Sequence, residues 1–397
     1  MTTAAGPAGH VLVVARGLGA GGTERHLLAI LPRLRARGID VRLFAWERGG
    51  TLERAFLDAG VPLIGPPPTS RPAFRALRGA YALWRELWTA PPLLVHFFLP
   101  EPYILGTAAA IASRVGLRVM SRRSLADYQR RRPLAARLER WSHRATAAFL
   151  GNSLAVCREL VMETRRPEAV GLLPSGVDVP APLDPAARVI ARDAANIPDA
   201  KIVIAVVANL FPYKGHADLL RALAVLPTDG WRLLLIGRDA GAGPSLRKLA
   251  VDLGIDHNID WLGERHDVAS LLAASDIFVL PSHEEGLSVA LLEAMAFGLP
   301  CIATAVGGNL DALSSPDTGI LVPPRDPMAL AVVLRSLFEE PARRTALGVS
   351  ARKRVQAHFS TDACVAGYER FYREWRWIGR RPTRQILTSQ TDVDPVG

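Results

Sequence analysis

The sequence predicts an α/β protein made of two doubly wound, Rossmann-like domains. The chain has 397 residues, more than a single hydrophobic core usually serves. Short apolar runs alternate with helical patterns throughout, which is typical of parallel sheets with helical crossovers. Residues 180–198 are rich in Pro, Ala and Asp and separate two such series, so they predict a linker. Ligands of such sheets bind outside the carboxyl ends of the strands, and we therefore expect the two domains to face a cleft.

Strands are predicted where apolar residues form short uninterrupted runs. In the first half these runs are Val11–Ala15, Val41–Trp46, Leu93–Phe97, Arg118–Ser121, Ala148–Gly151 and Ala169–Leu173. In the second half they are Ile202–Val207, Arg232–Ile236, Ile259–Trp261, Ile277–Leu280, Cys301–Ala303 and Gly319–Val322. Each half therefore offers enough strands for a sheet of its own.

Composition indicates an ordered globular protein whose positive charge is unevenly distributed. The chain is 49% apolar and 22% charged, which excludes a largely disordered polypeptide. Residues 1–195 contain 27 basic and 15 acidic residues, whereas residues 196–397 contain 21 and 23. The basic half predicts either a merely solvated surface or one that attracts anionic lipid headgroups, a phosphorylated acceptor or nucleic acid.

The sequence lacks the usual signals of export. Cys157, Cys301 and Cys364 are widely spaced and form neither a disulfide framework nor a metal-binding pattern. No apolar run reaches the roughly 18 residues of a membrane span, and residues 1–10 do not resemble a signal peptide. We expect a cytoplasmic protein. A peripheral position on the inner face of the plasma membrane is a hypothesis that rests on the basic first half.

The most informative segment, Glu285-Gly-Leu-Ser-Val-Ala-Leu-Leu-Glu293, holds two carboxylates eight positions apart. It follows the predicted strand Ile277–Leu280, and its apolar residues predict a helix. Unpaired N–H groups and the helix dipole make such an N-terminus suitable for a phosphate. Eight helical residues span roughly 12 Å, about the distance from sugar to ribose in a nucleoside-diphosphate sugar. On spacing alone, a helix with two exposed glutamates is an equal alternative.

This segment resembles the E-x7-E signature of retaining glycosyltransferases of the GT-B fold, in particular family 4, also called group 1. The resemblance implies transfer of a hexose-type sugar from a UDP- or GDP-linked donor to an acceptor hydroxyl. It implies that Glu285 positions the sugar and that Glu293 holds the ribose. The backbone amides of Gly286, Leu287 and Ser288 would bind phosphate.

A second segment with the same resemblance is Val207-Ala-Asn-Leu-Phe-Pro-Tyr-Lys-Gly215. The family has Arg or Asn followed five residues later by Lys-Gly, and here these positions are Asn209 and Lys214. The resemblance implies that Lys214 neutralises the leaving diphosphate. A lysine on a surface loop is the alternative, but only four lysines occur in the chain. The segment Trp261–Asp267 resembles the loop that contacts the nucleobase, so Arg265 is assigned to the donor.

The glycine-rich segment Gly17-Leu-Gly-Ala-Gly-Gly22 matches G-x-G-x-x-G, which alone would indicate a dinucleotide enzyme. Its end, with Thr23 and Glu24, resembles instead the glycine-rich loop of family 4. That resemblance implies that Gly22 approaches the donor diphosphate and that Thr23 and Glu24 contact the acceptor. A tight turn in which Thr23 caps the helix is the alternative.

Further acceptor residues are expected in the first domain. The segment Leu93–Pro100 resembles the family's V-H-x-H-L-P pattern, with His96 at the first histidine and Phe98 at the second. Arg122 and Arg123 stand where many family members have a histidine, and two guanidiniums there would bind an acceptor phosphate or carboxylate. An interior role for His96 is equally open.

We place the first domain at residues 1–185 and the second at residues 186–365. The resemblance implies that a final helix, residues 366–380, packs on the first domain. Its aromatic residues are Tyr368, Phe371, Tyr372, Trp375 and Trp377. Residues 381–397 are predicted to form a disordered tail. The tail contains Asp392-Val-Asp394, the one Asp-x-Asp sequence of the chain. Glycosyltransferases of the other major fold hold a divalent ion with this pattern, and we attribute the match here to chance.

The resemblance therefore implies a hexosyltransferase that needs no metal and no cofactor besides its donor. A lipid-linked saccharide in the synthesis of a surface polysaccharide or glycolipid is the acceptor suggested by the basic first half, with no nucleic acid as partner. Two alternatives stay open. One is an NAD-dependent oxidoreductase that uses the Gly17–Gly22 segment, and the other is a non-catalytic nucleic-acid-binding protein.

Overall fold

The strands of the described structure form two separate sheets in which every pairing is parallel. This computed structural model describes residues 9–19, 21–69, 72–126, 129, 132–182, 184–194, 197 and 201–378. One unit ends at Gly176 and resumes at Thr361, and the other runs from Val177 to Ser360. The division thus precedes the expected boundary at 185/186, and the expected tail 381–397 lies outside the described residues.

The first unit contains a seven-stranded sheet in the order β3-β2-β1-β4-β5-β6-β7. Its strands are β1 (Val11–Ala15), β2 (Val41–Ala45), β3 (Leu63–Ile64), β4 (Leu94–Phe98), β5 (Arg118–Arg122), β6 (Ala148–Gly151) and β7 (Val170–Leu172). In the register of the central strands, Val13 of β1 lies opposite Leu43 and His96. From β1 the chain adds β2 and β3 toward one edge of the sheet, and β4 then returns to pair with β1 on its other side. The order of the strands therefore reverses between β1 and β4. Such a reversal opens a crevice at the carboxyl ends.

Helices cover both faces of this sheet. They are α1 (Gly22–Ala36), α2 (Glu53–Asp58), α3 (Pro72–Thr89), α4 (Pro100–Ala112), α5 (Pro133–Arg144) and α6 (Leu154–Thr164), with a 3₁₀ turn at Pro167–Ala169. On one face, Leu27 and Leu31 of α1 pack on the strands. On the other, Leu83 of α3 and Tyr103 of α4 do so. Both faces are buried, which explains why the strands read as continuous apolar runs.

The second unit contains a six-stranded sheet in the order β10-β9-β8-β11-β12-β13. Its strands are β8 (Ile202–Val207), β9 (Trp231–Ile236), β10 (Ile259–Gly263), β11 (Ile277–Leu280), β12 (Cys301–Thr304) and β13 (Ile320–Val322). Its helices are α7 (Pro185–Ala194), α8 (His216–Ala224), α9 (Gly243–Asp252), α10 (Val268–Ala273), α11 (Val289–Ala296), α12 (Asn309–Ala312), α13 (Pro327–Glu339) and α14 (Pro341–Arg354). Shorter turns lie at Pro212–Lys214, Asp256–Asn258 and Val355–Phe359. Here the direction reverses between β8 and β11.

The structure confirms the predicted fold class of two parallel α/β domains. Four strands have the predicted bounds, namely β1, β6, β8 and β11. The others differ by one or two residues at an end, as is usual for element boundaries. The short β3 was not predicted, because its two residues lie between prolines and carry too little apolar sequence to form a recognisable run.

The last described helix, α15 (Thr361–Ile378), is part of the first unit and packs against α1. Its buried side chains include Val365, Tyr368 and Phe371, which join the core on the α1 face of the sheet. The hydroxyl of Tyr372 lies 2.7 Å from Nδ1 of His96. The side chains of Trp375 and Trp377, also expected to pack here, lie outside the described part.

We predict that Tyr372→Phe destabilises the protein, because it leaves a buried nitrogen of His96 without its partner. The free energy of unfolding should fall by about 1–3 kcal/mol in a denaturant titration of the full chain. Tyr81→Phe is the matched control, since Tyr81 is 62% exposed and surface changes shift stability by less than about 0.5 kcal/mol. Equal stabilities for the two variants would contradict this contribution of the His96–Tyr372 contact.

Candidate functional site

In the second unit, the loops that follow β8 and β11 meet at the carboxyl end of the sheet, where the strand order reverses. Open α/β sheets bind their ligands at this position. The loop after β8 contains the turn Pro212–Lys214, and the loop after β11 leads into α11. The backbone N–H of His283 donates to the carbonyl oxygen of Tyr213 at 2.7 Å, so the two loops are joined directly.

Gly215 permits this close approach. Its φ is +69°, in the left-handed region that favours glycine. A Cβ at this position would also overlap the carbonyl oxygen of Pro281. The Lys-Gly dipeptide therefore has a geometric reason, because the glycine brings Lys214 against the loop that carries Glu285.

Lys214 and Glu285 form an ion pair with Nζ and Oε1 2.6 Å apart. The hydroxyl of Ser282 donates to the same carboxylate oxygen at 2.8 Å. The side chains of Lys214 and Glu285 are only 17% and 9% exposed. Within the described part of the chain, the other oxygen, Oε2, makes no hydrogen bond to a protein group. It can therefore accept a hydroxyl hydrogen from a ligand.

The ammonium group of Lys214 is the positive charge of this site. An ammonium has three donors, and the carboxylate of Glu285 takes one of them. Burial, together with the charge of Lys214, lowers the pKa of the neighbouring His216 to about 4. His216 is therefore neutral near pH 7, and an anion in this site would be met by Lys214.

The segment after Glu285 forms the N-terminus of α11. The hydroxyl of Ser288 accepts a hydrogen bond from the N–H of Leu291 at 3.3 Å and caps the helix. Gly286 and Leu287 lie before the helix, and the side chain of Leu287 packs into the core. Only the backbone of Leu287 is thus available to a ligand.

Glu293 lies within α11 and is half-buried. Glu285, in contrast, lies in the preceding loop, so a helical rise of eight residues does not describe the segment between the two carboxylates. The sequence-based distance of roughly 12 Å assumed an unbroken helix. The helix instead begins at Val289.

A third loop supports the one that carries Glu285. Thr304, at the end of β12, donates through its hydroxyl to the carbonyl oxygen of Ser282, and the side-chain amide of Asn309 donates to the carbonyl oxygen of Thr304 at 3.0 Å. Gly308 lies directly on the peptide of Gly286, where a Cβ would overlap the carbonyl oxygen. No local pattern in the sequence indicates the contribution of Ser282.

Two residues predicted to bind the donor have local partners. The side-chain oxygen of Asn209 accepts from the N–H of Arg238 at 3.2 Å and joins the ends of β8 and β9. Arg265 is exposed and forms a two-point pair with Asp267 at 2.8 and 2.6 Å. Its charge is therefore compensated locally.

The first unit has a cavity of about 430 Å³ beside the reversal between β1 and β4. Its lining consists of Arg16, Gly17, Leu18, Gly19, Glu24, Trp46, Glu47, Arg48, Gly49, Gly50, Pro68, Arg75 and Glu101. Nε of Arg16 and Oε2 of Glu101 are 3.0 Å apart and join the loop after β1 to the start of α4. The cavity thus combines guanidinium donors with carboxylate acceptors.

The glycine-rich loop leads into α1, which begins at Gly22. Gly21 occupies the N-cap position and no side chain caps the helix, so the alternative capping role for Thr23 is wrong. Thr23 is half-buried. Glu24 lines the cavity, and burial raises its pKa although Arg16 and Arg123 act in the opposite direction.

His96 is an interior residue, and this corrects the expected contact with an acceptor. Its Nδ1 lies 2.7 Å from the hydroxyl of Tyr372 and its Nε2 lies 2.8 Å from the hydroxyl of Ser121. Burial lowers the pKa of His96 to about 3. Both ring nitrogens are thus used within the core, and the ring is neutral.

Arg122 likewise does not form the expected open anion site with Arg123. Its side chain is 1% exposed and pairs with Glu139 at 2.7 Å and with Glu163 at 2.6 Å. Although burial raises the pKa of Glu163, hydrogen bonds from His143 and Arg122 outweigh it and lower that pKa to about 2. Arg123 donates to the hydroxyl of Ser175 at 2.7 Å. Arg122 is therefore part of a buried charge network.

Two family matches correspond to the two structural units of the chain. Residues 20–180 match the family described as Glycosyltransferase Family 4, and residues 188–354 match the one described as Glycosyl transferases group 1. The chain belongs to the group 1 glycosyltransferases. The second match contains Asn209, Lys214, Glu285 and Glu293, and thus the whole ion-paired site.

Several characterised glycosyltransferases are similar in sequence. The GDP-mannose-dependent monoacylated alpha-(1-6)-phosphatidylinositol monomannoside mannosyltransferase of Corynebacterium glutamicum is 35% identical over 203 residues, which cover 48% of this chain and 52% of the relative. The D-inositol 3-phosphate glycosyltransferase of Kineococcus radiotolerans is 31% identical over 233 residues, covering 53% and 54%. The chain thus spans about half of the length of the curated relatives that it matches.

Solved structures show the same fold. Anabaena Alr3699/HepE in complex with UDP-glucose has a TM-score of 0.83 at 19% identity, covering 92% of this chain and 100% of that one. Sucrose-phosphate synthase from Thermosynechococcus elongatus has a TM-score of 0.75 at 22% identity, covering 92% and 99%. At these identities the likeness concerns the fold alone, which is the GT-B arrangement of two parallel α/β domains.

We predict that Gly308→Ala displaces the loop that carries Glu285, because the added methyl group overlaps the carbonyl oxygen of Gly286. Overpacking of this kind costs typically about 1–3 kcal/mol, and thermal unfolding should show the loss. The matched control is Gly230→Ala, where a Cβ meets no atom within 4 Å. Full stability of Gly308→Ala would show that the contact is dispensable.

We predict that Arg122→Met is strongly destabilising, by about 3–5 kcal/mol, because it removes the guanidinium that the buried carboxylates of Glu139 and Glu163 share. Arg140→Met is the control, since Arg140 is exposed on the same helix as Glu139. The lowered pKa of Glu163 means that its contribution is present above pH 4.5 and is lost as the pH falls toward 2. Denaturant titrations across this range should show that dependence in the wild type and a weaker one in Arg122→Met.

Proposed function

We propose that this protein is a retaining hexosyltransferase that moves a sugar from a UDP- or GDP-linked donor to an acceptor hydroxyl. The observation that carries the proposal is the mostly buried Lys214–Glu285 pair at the β8/β11 reversal, beside the capped N-terminus of α11. This place combines a cation and unpaired backbone donors, which suit a diphosphate, with a carboxylate oxygen suited to a sugar hydroxyl. The likeness to a structure bound to UDP-glucose supports the same class of donor.

Each donor residue has a distinct role in this proposal. The diphosphate lies against Lys214 and the N–H groups of the segment 286–288, which lead into α11. Oε2 of Glu285 accepts a hydroxyl hydrogen of the transferred sugar, while Ser282 and Lys214 hold the carboxylate in place through Oε1. Glu293 accepts the ribose hydroxyls. Asn209 and Arg265 contribute to donor binding at the edge of this site, through the backbone of their loops.

The transfer step needs no nucleophile from the protein. The bond from the anomeric carbon to the phosphate oxygen breaks, and the acceptor oxygen forms a new bond on the same face. The acceptor proton passes to the leaving phosphate oxygen. Charge develops on the diphosphate as the bond breaks, and fixed donors stabilise such a charge better than water does. We propose that Lys214 and the α11 N-terminus provide this stabilisation without a metal ion.

The acceptor is proposed to bind at the cavity of the first unit. Arginine side chains there suit a phosphate, while Glu24 and Glu101 suit hydroxyl groups. Gly22 and Thr23, at the start of α1, border the same loop. Two relatives have inositol 3-phosphate or a phosphatidylinositol mannoside in their names, which supports an acceptor that combines hydroxyls with phosphate. A lipid-linked saccharide, as in glycolipid or surface polysaccharide synthesis, has this chemistry.

A dinucleotide site at the Gly17–Gly22 segment has less support. Its ribose would require an acidic group at the end of β2, and Glu47 is the nearest residue of this kind. Glu47 already accepts from the N–H of Thr69 at 2.9 Å and lies 3.6 Å from Arg75. Oxidation of a substrate by NAD is therefore not our proposal.

We expect Lys214→Ala to weaken UDP or GDP binding at least tenfold and to slow transfer by roughly 10²–10³-fold. Glu285→Gln should keep nucleotide binding but lose most of the transfer. Calorimetric titration with UDP, GDP and NADH, followed by product analysis with matching nucleotide sugars, measures both effects. Lys248→Ala is the control, because Lys248 is exposed in the same unit and pairs with Asp252 within its own helix.

The experiment separates the candidates. Binding of NADH without any nucleoside diphosphate would favour the oxidoreductase. Full activity of Lys214→Ala or of Glu285→Gln with the best donor would remove the role proposed for that residue. An anomeric configuration inverted in the product would contradict the retaining mechanism.

A further inference from the structure

Two helices of the first unit carry large apolar side chains on their solvent side. On α3 these are Phe74, Leu77, Tyr81, Trp84 and Trp88, and on α5 they are Leu134, Leu138 and Trp141. Their exposed fractions range from 36% for Trp84 to 70% for Leu134. We call this set the α3–α5 surface. It contains every exposed large aromatic side chain among the described residues.

The spacing shows that these are continuous stripes. On α3 the exposed positions follow each other at intervals of three and four residues, which places them along one side of the helix. The adjacent side of α3, about a quarter turn away, buries Leu83 and Leu87 in the core. The apolar part of the helix therefore extends from the side that the protein covers onto an adjacent side that it leaves in solvent, where a stable soluble helix usually carries polar residues.

The two stripes belong to helices that both pack against α4. Helix α4 packs against both α3 and α5, and its own residue Ile111 is 40% exposed. The hydroxyl of Tyr103 on α4 lies 2.8 Å from Nδ1 of His143 on α5. The hydroxyl of Ser113, which follows α4, donates to the carbonyl oxygen of Trp84 at 3.5 Å. Exposed apolar side chains that are grouped in this way are typical of interaction sites.

The charges around the surface are mostly positive. On α5 the exposed charged residues are Arg137, Arg140 and Arg144. The one carboxylate of that helix, Glu139, is buried and paired with Arg122. The stripe of α5 is therefore bordered only by guanidinium groups from its own helix. An occupant that is both apolar and anionic complements this pattern.

We propose that the α3–α5 surface binds the face of an anionic lipid bilayer. The Trp, Tyr and Leu side chains enter the boundary between headgroups and acyl chains, and the arginines contact lipid phosphates. Among the described helices none has the length and apolarity to cross a membrane, so contact is by the surface of the helices. A second copy of this chain fits less well, because a symmetric interface would bring Arg137, Arg140 and Arg144 of both copies together.

This proposal does not depend on the sugar-transfer chemistry, although it agrees with a lipid-linked acceptor. It concerns residues of α3 and α5 that take no part in the proposed donor site of the second unit. The two proposals can therefore fail separately, provided that nucleotide binding is measured on the same variants.

Flotation with phosphatidylcholine vesicles, with and without phosphatidylglycerol, tests the proposal on the full chain. We expect the wild type to float with the anionic vesicles at low salt and to dissociate as salt increases. Leu77→Ser/Trp88→Ser should reduce the bound fraction at least about tenfold, given the transfer free energies of two exposed apolar side chains. Arg137→Gln/Arg140→Gln/Arg144→Gln should remove the preference for anionic vesicles.

The control is Val251→Ser/Val332→Ser, which changes two side chains of the second unit that are 61% and 66% exposed. It should float like the wild type. All variants should keep the circular dichroism spectrum and the thermal unfolding midpoint of the wild type, which shows that they are folded. The proposal is overturned if the wild type does not bind anionic vesicles at low salt, or if the Leu77/Trp88 variant binds equally well. It is also overturned if the only effect of the Leu77/Trp88 variant is to convert a dimer into monomers.

Discussion

The contact between the β8 and β11 loops is the constraint on which the candidate site depends. Gly215 lets the two backbones approach, and the pairing of His283 with Tyr213 holds them there. The Lys214–Glu285 pair then forms almost out of solvent, where an unpaired partner would be strongly unfavourable. Three loops that follow adjacent strands of the sheet share the arrangement, since Gly308 contacts the peptide that follows Glu285. A rigid carboxylate and ammonium in fixed positions are the result.

The two units place an ion pair at equivalent points of their sheets, with different energetic meaning. Arg16 and Glu101 are 58% and 44% exposed, so their attraction is screened and contributes little to stability. Lys214 and Glu285 are mostly buried, and each needs the other. The first pair can open to admit a ligand at small cost. The second can exchange partners only if a ligand supplies a comparable charge, as a diphosphate does.

The fold and the candidate site of the second unit could be predicted from the sequence more fully than the candidate site of the first unit. Parallel strands buried on both faces are visible as apolar runs, and Lys214 and Glu285 lie in short motifs whose loops follow neighbouring strands. His96 and Arg122 could not be assigned in this way. Their environments are made by Tyr372, Glu139 and Glu163, which are distant in sequence, and no local pattern indicates that a polar side chain pairs inside the protein.

The first unit is assembled from both ends of the chain, since it stops at Gly176 and is completed by α15. Tyr368 and Tyr372 are part of its core. The core of this unit therefore remains incomplete until these late residues leave the ribosome. The second unit is continuous and can fold earlier, although domains generally fold in order of synthesis. The nascent first unit therefore exposes apolar surface for the time needed to translate the whole insert. Chaperone dependence should concentrate in that interval.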